Sequence, residues 1–198
     1  MNIEFATKIN DLIQANQLDA AIDISEKELR QLPKTEFYKL IGWDQTSDAE
    51  ALADQVNIFY NAAAENIKTV GALYCEMNGF TINYDMWYVE FFAFTKFQGL
   101  DDLDWLADFD YNNLDLGVAF TGIEEILAVF KDYMENERWN DSVQKSSFEI
   151  AEILVILRVQ QLFREAAKIA RSKKQSWINI PFLMTAHDYD LIYNVTGH

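Results

Sequence analysis

The sequence predicts a single α+β domain over residues 1–198, with a helical part at 1–67 and a sheet-containing part at 68–198. Two observations predict it. Apolar residues recur at helical spacing through the first part, whereas positions 69–97 are rich in Val, Ile, Tyr, Phe, Trp and Thr, which favour strands. Helices and strands that occupy separate stretches of a chain are typical of the α+β class.

The helical part is predicted to begin with an antiparallel hairpin. Apolar residues keep helical spacing over residues 3 to 15 and again over 18 to 32, where a proline follows. A third helix is predicted from a cap at Ser47 or Asp48 to about Ile67, because its apolar residues form one stripe.

A central antiparallel sheet is predicted next, with strands near 70–77, 80–84 and 87–97. The dipeptide Asn78-Gly79 lies between the first two and favours a two-residue hairpin turn. Both faces of the third strand are largely apolar. This pattern predicts a central strand that is covered by helices on one side and by more protein on the other.

Two packing helices are predicted in the second half of the chain. Thr121, with Glu124 three residues later, fits a capping box at the start of the fourth helix. The fifth and longest helix is predicted from about Ser147 to about Ser172, because acids at its start and bases at its end complement the helix dipole. Further strands are predicted at 116–120, at 178–185 and, as a short C-terminal strand or docked tail, at 188–195.

Acidic residues are concentrated in the middle of the chain. Between Leu40 and Phe130 there are sixteen acids and only two bases. The densest part, residues 101–115, carries six aspartates and is predicted to be a loop with one short turn; we call it the acidic segment. It also holds three aromatic rings, whose full burial would draw charges inward at a cost of several kcal/mol each. The rings therefore either anchor the loop or form exposed contact residues.

We interpret the acidic segment as a recognition surface for a basic protein partner. The candidate partner-binding residues are Asp101, Asp102, Asp104, Trp105, Asp108, Asp110, Tyr111 and Asp115. Internal neutralisation is the alternative, because residues 158–174 carry six basic groups against one acid. High salt would lower the thermal stability of an internally paired protein, whereas with an external partner it would weaken binding.

The net charge of −16 disfavours binding to nucleic acid or to anionic membranes. The leading hypothesis is therefore a domain that neutralises a basic protein, most concretely a bacterial toxin immunity protein or an antitoxin. One alternative is an adaptor or scaffold domain that holds a peptide, or a second copy of itself as a homodimer, through the N-terminal hairpin or a sheet edge. Another is a hydrolase that uses two carboxylates.

The sequence predicts no catalytic residue and no cofactor. It has no Gly-rich phosphate loop, no GxSxG motif and no HExxH motif. Because His198 ends the chain, histidine chemistry would depend on His187. Cys75 and His187 could formally pair as nucleophile and base, but a single cysteine in an apolar strand is usually an inert core residue.

No metal site is predicted either. His187, Asp188 and Asp190 could offer ligands to a divalent metal, but the sequence has no second histidine motif to complete such a site. The aspartates at 102, 104 and 108 resemble an oxygen-rich calcium loop, but the glycine and the glutamate that an EF-hand loop requires are missing.

The first residues and the cysteine content predict a cytoplasmic location. Glu4, Lys8 and Asp11 interrupt the region where a signal peptide would be apolar. No uncharged apolar run reaches the eighteen residues or so of a transmembrane helix. Cys75 is the only cysteine and cannot form an internal disulfide.

Overall fold

The α+β class is confirmed by the computed structural model, which describes residues 3–80 and 83–197. Within these residues the fold has five α-helices and one six-stranded sheet. The helices are α1 (Ile3–Gln14), α2 (Leu18–Gln31), α3 (Ala49–Ile67), α4 (Glu124–Glu135) and α5 (Ser142–Lys173). The strands are β1 (Ala72–Met77), β2 (Tyr88–Phe94), β3 (Tyr111–Asn112), β4 (Val118–Ala119), β5 (Phe182–Ala186) and β6 (Tyr193–Asn194).

The sheet is mixed rather than purely antiparallel. Its order is β3-β2-β1-β5-β6. The remaining strand, β4, pairs with β2 along the same side as β3 but at the opposite end of β2. β1 and β5 run parallel, while every other pairing in the described residues is antiparallel. A parallel neighbour needs a long crossover connection, and here α4 and α5 lie between the two strands in the chain. The carboxyl ends of β1 and β5 therefore meet at one edge of the sheet.

The predicted Asn-Gly hairpin turn is wrong. β1 and β2 do form a hairpin, but residues 78–87 connect them and no strand lies at Phe80, Asn83 or Tyr84; Thr81 and Ile82 lie outside the described residues. A two-residue type I′ turn needs positive φ at both central positions, and neither Asn78 nor Gly79 has it. The Asn78 side chain instead bridges the strands, since its Nδ2 donates to Met86 O at 2.9 Å and its Oδ1 accepts from Tyr88 N at 2.7 Å.

Two predicted helix starts also differ from the structure. α5 begins five residues before Ser147, because Asp141 provides the cap: its Oδ1 accepts from Val143 N and Gln144 N at 2.8 and 3.0 Å. Thr121 does not cap α4, whose N-cap position is Ile123 and has no side-chain cap. In neither helix does the polar residue that the sequence pattern predicted act as the cap.

The short elements are shorter than predicted. The strand at 178–185 begins only at Phe182, since Ser176–Asn179 forms a 3-10 turn. The strand at 116–120 is reduced to β4, and the predicted tail contributes β6. His198 lies outside the described residues.

The two faces of the sheet are covered differently. The five helices pack on one face. The buried apolar residues on this face form one continuous cluster, whose members come from positions between 9 and 195 and include Cys75, Phe91 and Met184. A second, smaller cluster lies on the other face: Ala72, Tyr74, Phe94, Leu183 and Ile192 pack there with Trp105. The sequence predicted that another part of the chain covers the second face of β2, and the acidic segment is that part.

Candidate acidic recognition site

Trp105 anchors the acidic segment to the sheet. Its side chain is only 6% exposed. The ring lies edge-on to Phe94 at a centroid distance of 4.7 Å, and Nε1 donates to Gly99 O at 3.2 Å. Of the two roles that the sequence left open for this ring, the structure shows loop anchoring, so Trp105 offers little surface to a partner.

The far end of the segment is also fixed. Asp110 accepts hydrogen bonds from Thr95 N at 2.6 Å and from Thr95 Oγ1 at 2.9 Å. Tyr111 belongs to β3 and its ring packs 5.6 Å from that of Phe59 on α3, so it is half-buried. The part of the segment before β3 is therefore a loop held at both ends. Where the sequence predicted one short turn, the structure has a 3-10 helix at Asp104–Ala107, the strand β3 and the start of a second 3-10 helix at Leu114–Leu116.

All six aspartates of the acidic segment are exposed. Two of them accept hydrogen bonds within or next to the segment, because Asp102 Oδ1 binds Asp104 N at 3.0 Å and Asp110 binds Thr95. Within residues 3–80 and 83–197, no Lys, Arg or His forms an ion pair with any of the six. Their charge is left to solvent.

Four of the six basic groups at 158–174 form described ion pairs, and all of these are with carboxylates outside the acidic segment. Arg158 lies 2.6 Å from Glu26 and Arg164 2.7 Å from Asp19, both on α2. Further along α5, Lys168 pairs with Glu165 at 2.7 Å, and Lys173 pairs with Asp54 and Glu50 of α3 at 2.9 and 3.0 Å. The internal partner of this run is thus the pair of helices α2 and α3, not the acidic segment.

Apolar side chains lie beside the exposed aspartates. Phe109 is 46% exposed, although its ring contacts Phe92 at 5.0 Å. Leu100 and Leu114 are 42% and 67% exposed. Phe109, and not Trp105 or Tyr111, is therefore the ring of the segment that is available for contact with another protein.

A groove of about 670 Å³ runs between the acidic segment and the turn after β5. Leu103, Asp104 and Leu106 contribute to it from the segment, and Asp188 and Asp190 from the turn. Because Asp104, Asp188 and Asp190 are all carboxylates, this groove suits a cationic side chain.

Glu76 lines this groove, and sequence reasoning missed it. Its carboxylate accepts from Tyr74 OH at 2.7 Å, and His187 Nδ1 lies 2.6 Å from its other oxygen. The hydrogen bond with Glu76 raises the pKa of His187, although partial burial opposes this. The signal for Glu76 was present in the sequence, since a charged residue within an otherwise apolar strand usually has a polar partner.

Glu76 also faces Glu90. The two residues are cross-strand partners in β1 and β2, and both line a second cavity of about 210 Å³ together with His187 and Asn83. Like charges directly opposite each other destabilise a sheet. A half-exposed His187 that is hydrogen-bonded to Glu76 offsets part of that repulsion when it is protonated.

Cys75 and His187 do not form a nucleophile–base pair. Cys75 is fully buried on the helix-covered face, and burial raises the pKa of its thiol. His187 bonds to Glu76, whose side chain points to the opposite face because neighbours in a strand alternate. In the described ranges, no group of three His, Cys, Asp or Glu side chains is arranged to hold a metal ion.

Comparison of the chain with protein-family models, with curated proteins and with solved structures found no match. Among the helices of the described residues, none has both the length and the apolar character needed to cross a bilayer.

Proposed function

We propose that this chain is a protein-binding domain that uses the acidic segment to neutralise a basic protein partner. One observation carries the proposal: the six exposed aspartates of the acidic segment have no ion pair in the described part of the chain, while Arg158, Arg164 and Lys173 of α5 pair with α2 and α3. A compact field of one sign accelerates the encounter with a partner of the opposite sign.

The rigidity of the segment supports the same role. Trp105 and Asp110 fix the loop in the free protein, so binding costs little additional ordering. Phe109 supplies apolar contact area among the charges, in the manner of an interface anchor. The groove beside Asp104 has room for an arginine or lysine side chain of the partner.

The finer proposal is that the partner is a toxin and that the chain is an immunity protein or antitoxin of a bacterial cytoplasm. Nucleases and similar effectors carry cationic substrate surfaces because they bind phosphates. A rigid surface of clustered aspartates would occupy such a surface and exclude the substrate.

The test compares two variants of equal charge. The first reverses Asp101, Asp104 and Asp108 to Lys; the control reverses Asp11, Asp23 and Glu65, three exposed acids without an ion pair in the described residues. Both variants and the wild type are used to capture proteins from the native host's lysate, and association rates are measured for each captured protein. The proposal expects a basic protein that binds wild type and control but associates at least about tenfold more slowly with the first variant.

An equal loss for both triple variants would contradict the proposal, because it would mean that net charge and not the acidic segment matters. So would a captured partner that is not basic. The immunity form is tested next: adding one equivalent of the chain must abolish the activity of the captured partner, whereas an adaptor would bind and leave that activity intact.

The adaptor alternative would use the N-terminal hairpin or a sheet edge. Ala21 of that hairpin is fully buried, so a change to Asp there would unfold the protein instead of testing binding. The described sheet edges consist of two-residue strands at β3, β4 and β6, which give a peptide little to pair with.

A carboxylate-based hydrolase is the second candidate that a specific observation favours. Glu76 and Glu90 face one cavity, an arrangement that glycoside hydrolysis can use. It predicts turnover of at least one member of a chromogenic glycoside panel, abolished in both Glu76→Gln and Glu90→Gln and retained in Glu125→Gln. Equal activity in Glu90→Gln and the wild type would eliminate it.

A further inference from the structure

The Asn78-Gly79 pair does not form the predicted hairpin turn, but the same two residues are chemically reactive. In an Asn-Gly sequence the backbone nitrogen of the glycine can attack the side-chain amide carbon of the asparagine, because the glycine has no side chain to hinder the approach. Asn78-Gly79 is the only Asn-Gly pair in the chain. Asn78 is therefore the asparagine whose following residue hinders this attack least.

In the folded protein the Asn78 side chain is held by two hydrogen bonds. The residue is 8% exposed. Its Nδ2 donates to Met86 O at 2.9 Å, and its Oδ1 accepts from Tyr88 N at 2.7 Å. Ring closure would pull the amide carbon onto the Gly79 nitrogen and expel Nδ2. This movement breaks the bond to Met86 and displaces Oδ1 from Tyr88, so the folded state opposes the reaction.

The backbone of the pair is held as well. Asn78 N donates to Tyr88 O at 3.0 Å, so this residue is bound to β2 through its backbone and through its side chain. Gly79 O accepts from Asn83 N at 3.2 Å. The attack therefore requires the connection between β1 and β2 to open, and local openings of this kind cost less free energy than global unfolding.

The deamidated side chain does not fit the same place. A carboxylate has no N–H group to donate, so the oxygen that replaces Nδ2 would face Met86 O, and both atoms are acceptors. Asn78 also lines the cavity of about 210 Å³ that Glu76 and Glu90 face. A third carboxylate there adds to the repulsion between the first two. Deamidation would thus weaken the junction of β1 and β2.

We propose that Asn78 is a deamidation site that the fold protects, and that it reacts only when the connection between β1 and β2 opens. First a bond forms between Gly79 N and Asn78 Cγ, while Gly79 N loses its proton and Nδ2 leaves as ammonia. Water then adds to either carbonyl of the succinimide ring and opens it. The products are aspartate and isoaspartate at position 78. The site is independent of the acidic segment and of the proposed function.

The test follows deamidation of the full chain at mildly alkaline pH, folded in buffer and unfolded in guanidinium chloride. Mass spectrometry of the peptide that contains residue 78, with an assay for isoaspartate, gives the rate at this position. The folded protein should react at least about tenfold more slowly, because two hydrogen bonds must break before the ring closes. Equal rates in the two states would overturn the proposal, as would an unfolded-state rate no higher than at the other asparagines.

Gly79→Ala tests the chemistry with little change to the fold. Gly79 has no positive φ, and among the described residues a Cβ there would meet only His187 Cδ2, at 3.9 Å. The variant should unfold at the same or a higher temperature than the wild type. In guanidinium chloride it should react more slowly at Asn78, because the added methyl group hinders the attack. An undiminished rate would contradict the proposed ring closure.

Asn78→Asp reproduces one product and tests the protecting bonds. Asn83→Asp is the matched control, since Asn83 lines the same cavity and has no side-chain hydrogen bond in the described residues. Both variants add one negative charge, but only Asn78→Asp loses the donor to Met86 O. It should therefore unfold at a lower temperature than the control. Equal unfolding temperatures would show that the Asn78 amide does not hold the junction, which would overturn the protection by the fold.

Discussion

The acidic segment and the basic end of α5 carry six charges of one sign each, yet they are used differently. Arg158 and Glu26 are about one-tenth exposed and 2.6 Å apart, so their contact joins α5 to α2 inside the fold. The aspartates of the segment are exposed and unpaired in the described residues, and an aromatic anchor holds their loop. A run of like charges therefore gains a structural role only when another element of the fold places opposite charges beside it.

Removing the aromatic anchor should have the largest effect on this comparison. Trp105→Ala deletes the ring that packs on Phe94 and is expected to lower the free energy of unfolding by about 4 kcal/mol, as for other buried tryptophans. Urea unfolding measures it. Trp105→Phe keeps an apolar ring and should cost about 1–2 kcal/mol. A loss below about 1 kcal/mol in the alanine variant would mean that Trp105 does not hold the acidic segment.

Breaking the buried ion pair between Arg158 and Glu26 should have the second-largest effect on stability. Arg158→Met leaves Glu26 without its closest cation, and the expected loss is about 3 kcal/mol in urea unfolding. Adding Glu26→Gln to that variant should recover part of the loss, because it removes a largely buried carboxylate that then has only the more exposed Arg30 as counter-charge. Lys145→Met on the same helix is the control and should change stability by less than about 0.5 kcal/mol. Equal effects of the two methionine variants would contradict a structural role for the Arg158 pair.

Glu152, a partly buried carboxylate on α5, should make the stability of the protein depend on pH. Burial raises the pKa of Glu152 to about 7, against the lowering effect of a hydrogen bond with Tyr189. Because the folded state then binds the proton more tightly than the unfolded state, this contribution to stability is present at low pH and is lost as pH rises. Between pH 5 and 7 the loss should be about 2 kcal/mol.

Glu152→Gln should remove this part of the pH dependence while keeping a polar group beside Tyr189. Thermal unfolding of both proteins across pH 5 to 8, in steps of about half a unit, gives the difference. The variant should be the more stable protein at pH 8, and parallel pH profiles for the two proteins would contradict the expectation.

The smallest effect on stability should come from the charges of the acidic segment. Changing Asp101, Asp104 and Asp108 to Asn is expected to raise the free energy of unfolding by only a few tenths of a kcal/mol, since the three are exposed and repel one another. Salt should narrow the difference between the variant and the wild type. A loss of more than about 1 kcal/mol would show that these charges are structural after all.

The sequence predicted the helices well where an apolar stripe was continuous. α1, α2 and α3 lie within two residues of their predicted ends, because each must bury that stripe. Turn and cap residues were less reliable. Asn78-Gly79 and Thr121 each matched a short-range pattern. However, β1 and β2 pair in a register that leaves a longer connection than a two-residue turn, and the N-cap position of α4 is Ile123, not Thr121.

The candidate site was predicted in part. The six aspartates are exposed as expected, whereas Trp105 is buried and Phe109 takes the exposed position. Glu76 and His187 come from separate parts of the chain and line one cavity because β1 and β5 run parallel. Asp104 lines the neighbouring groove with Glu76 because Trp105 packs the acidic segment against the sheet. Nothing local in the sequence specifies that pairing.

The sequence by itself determined the α+β class, the helical hairpin and the exposure of the aspartates, because periodicity and charge act on each residue locally. Only the tertiary structure decided which opposite charges meet. Attraction between charges falls off within roughly 10 Å in salt, so pairing depends on which helices pack together. α2 and α3 pack beside the basic run of α5, whereas the acidic segment lies on the far face of the sheet, where its aspartates are exposed to solvent.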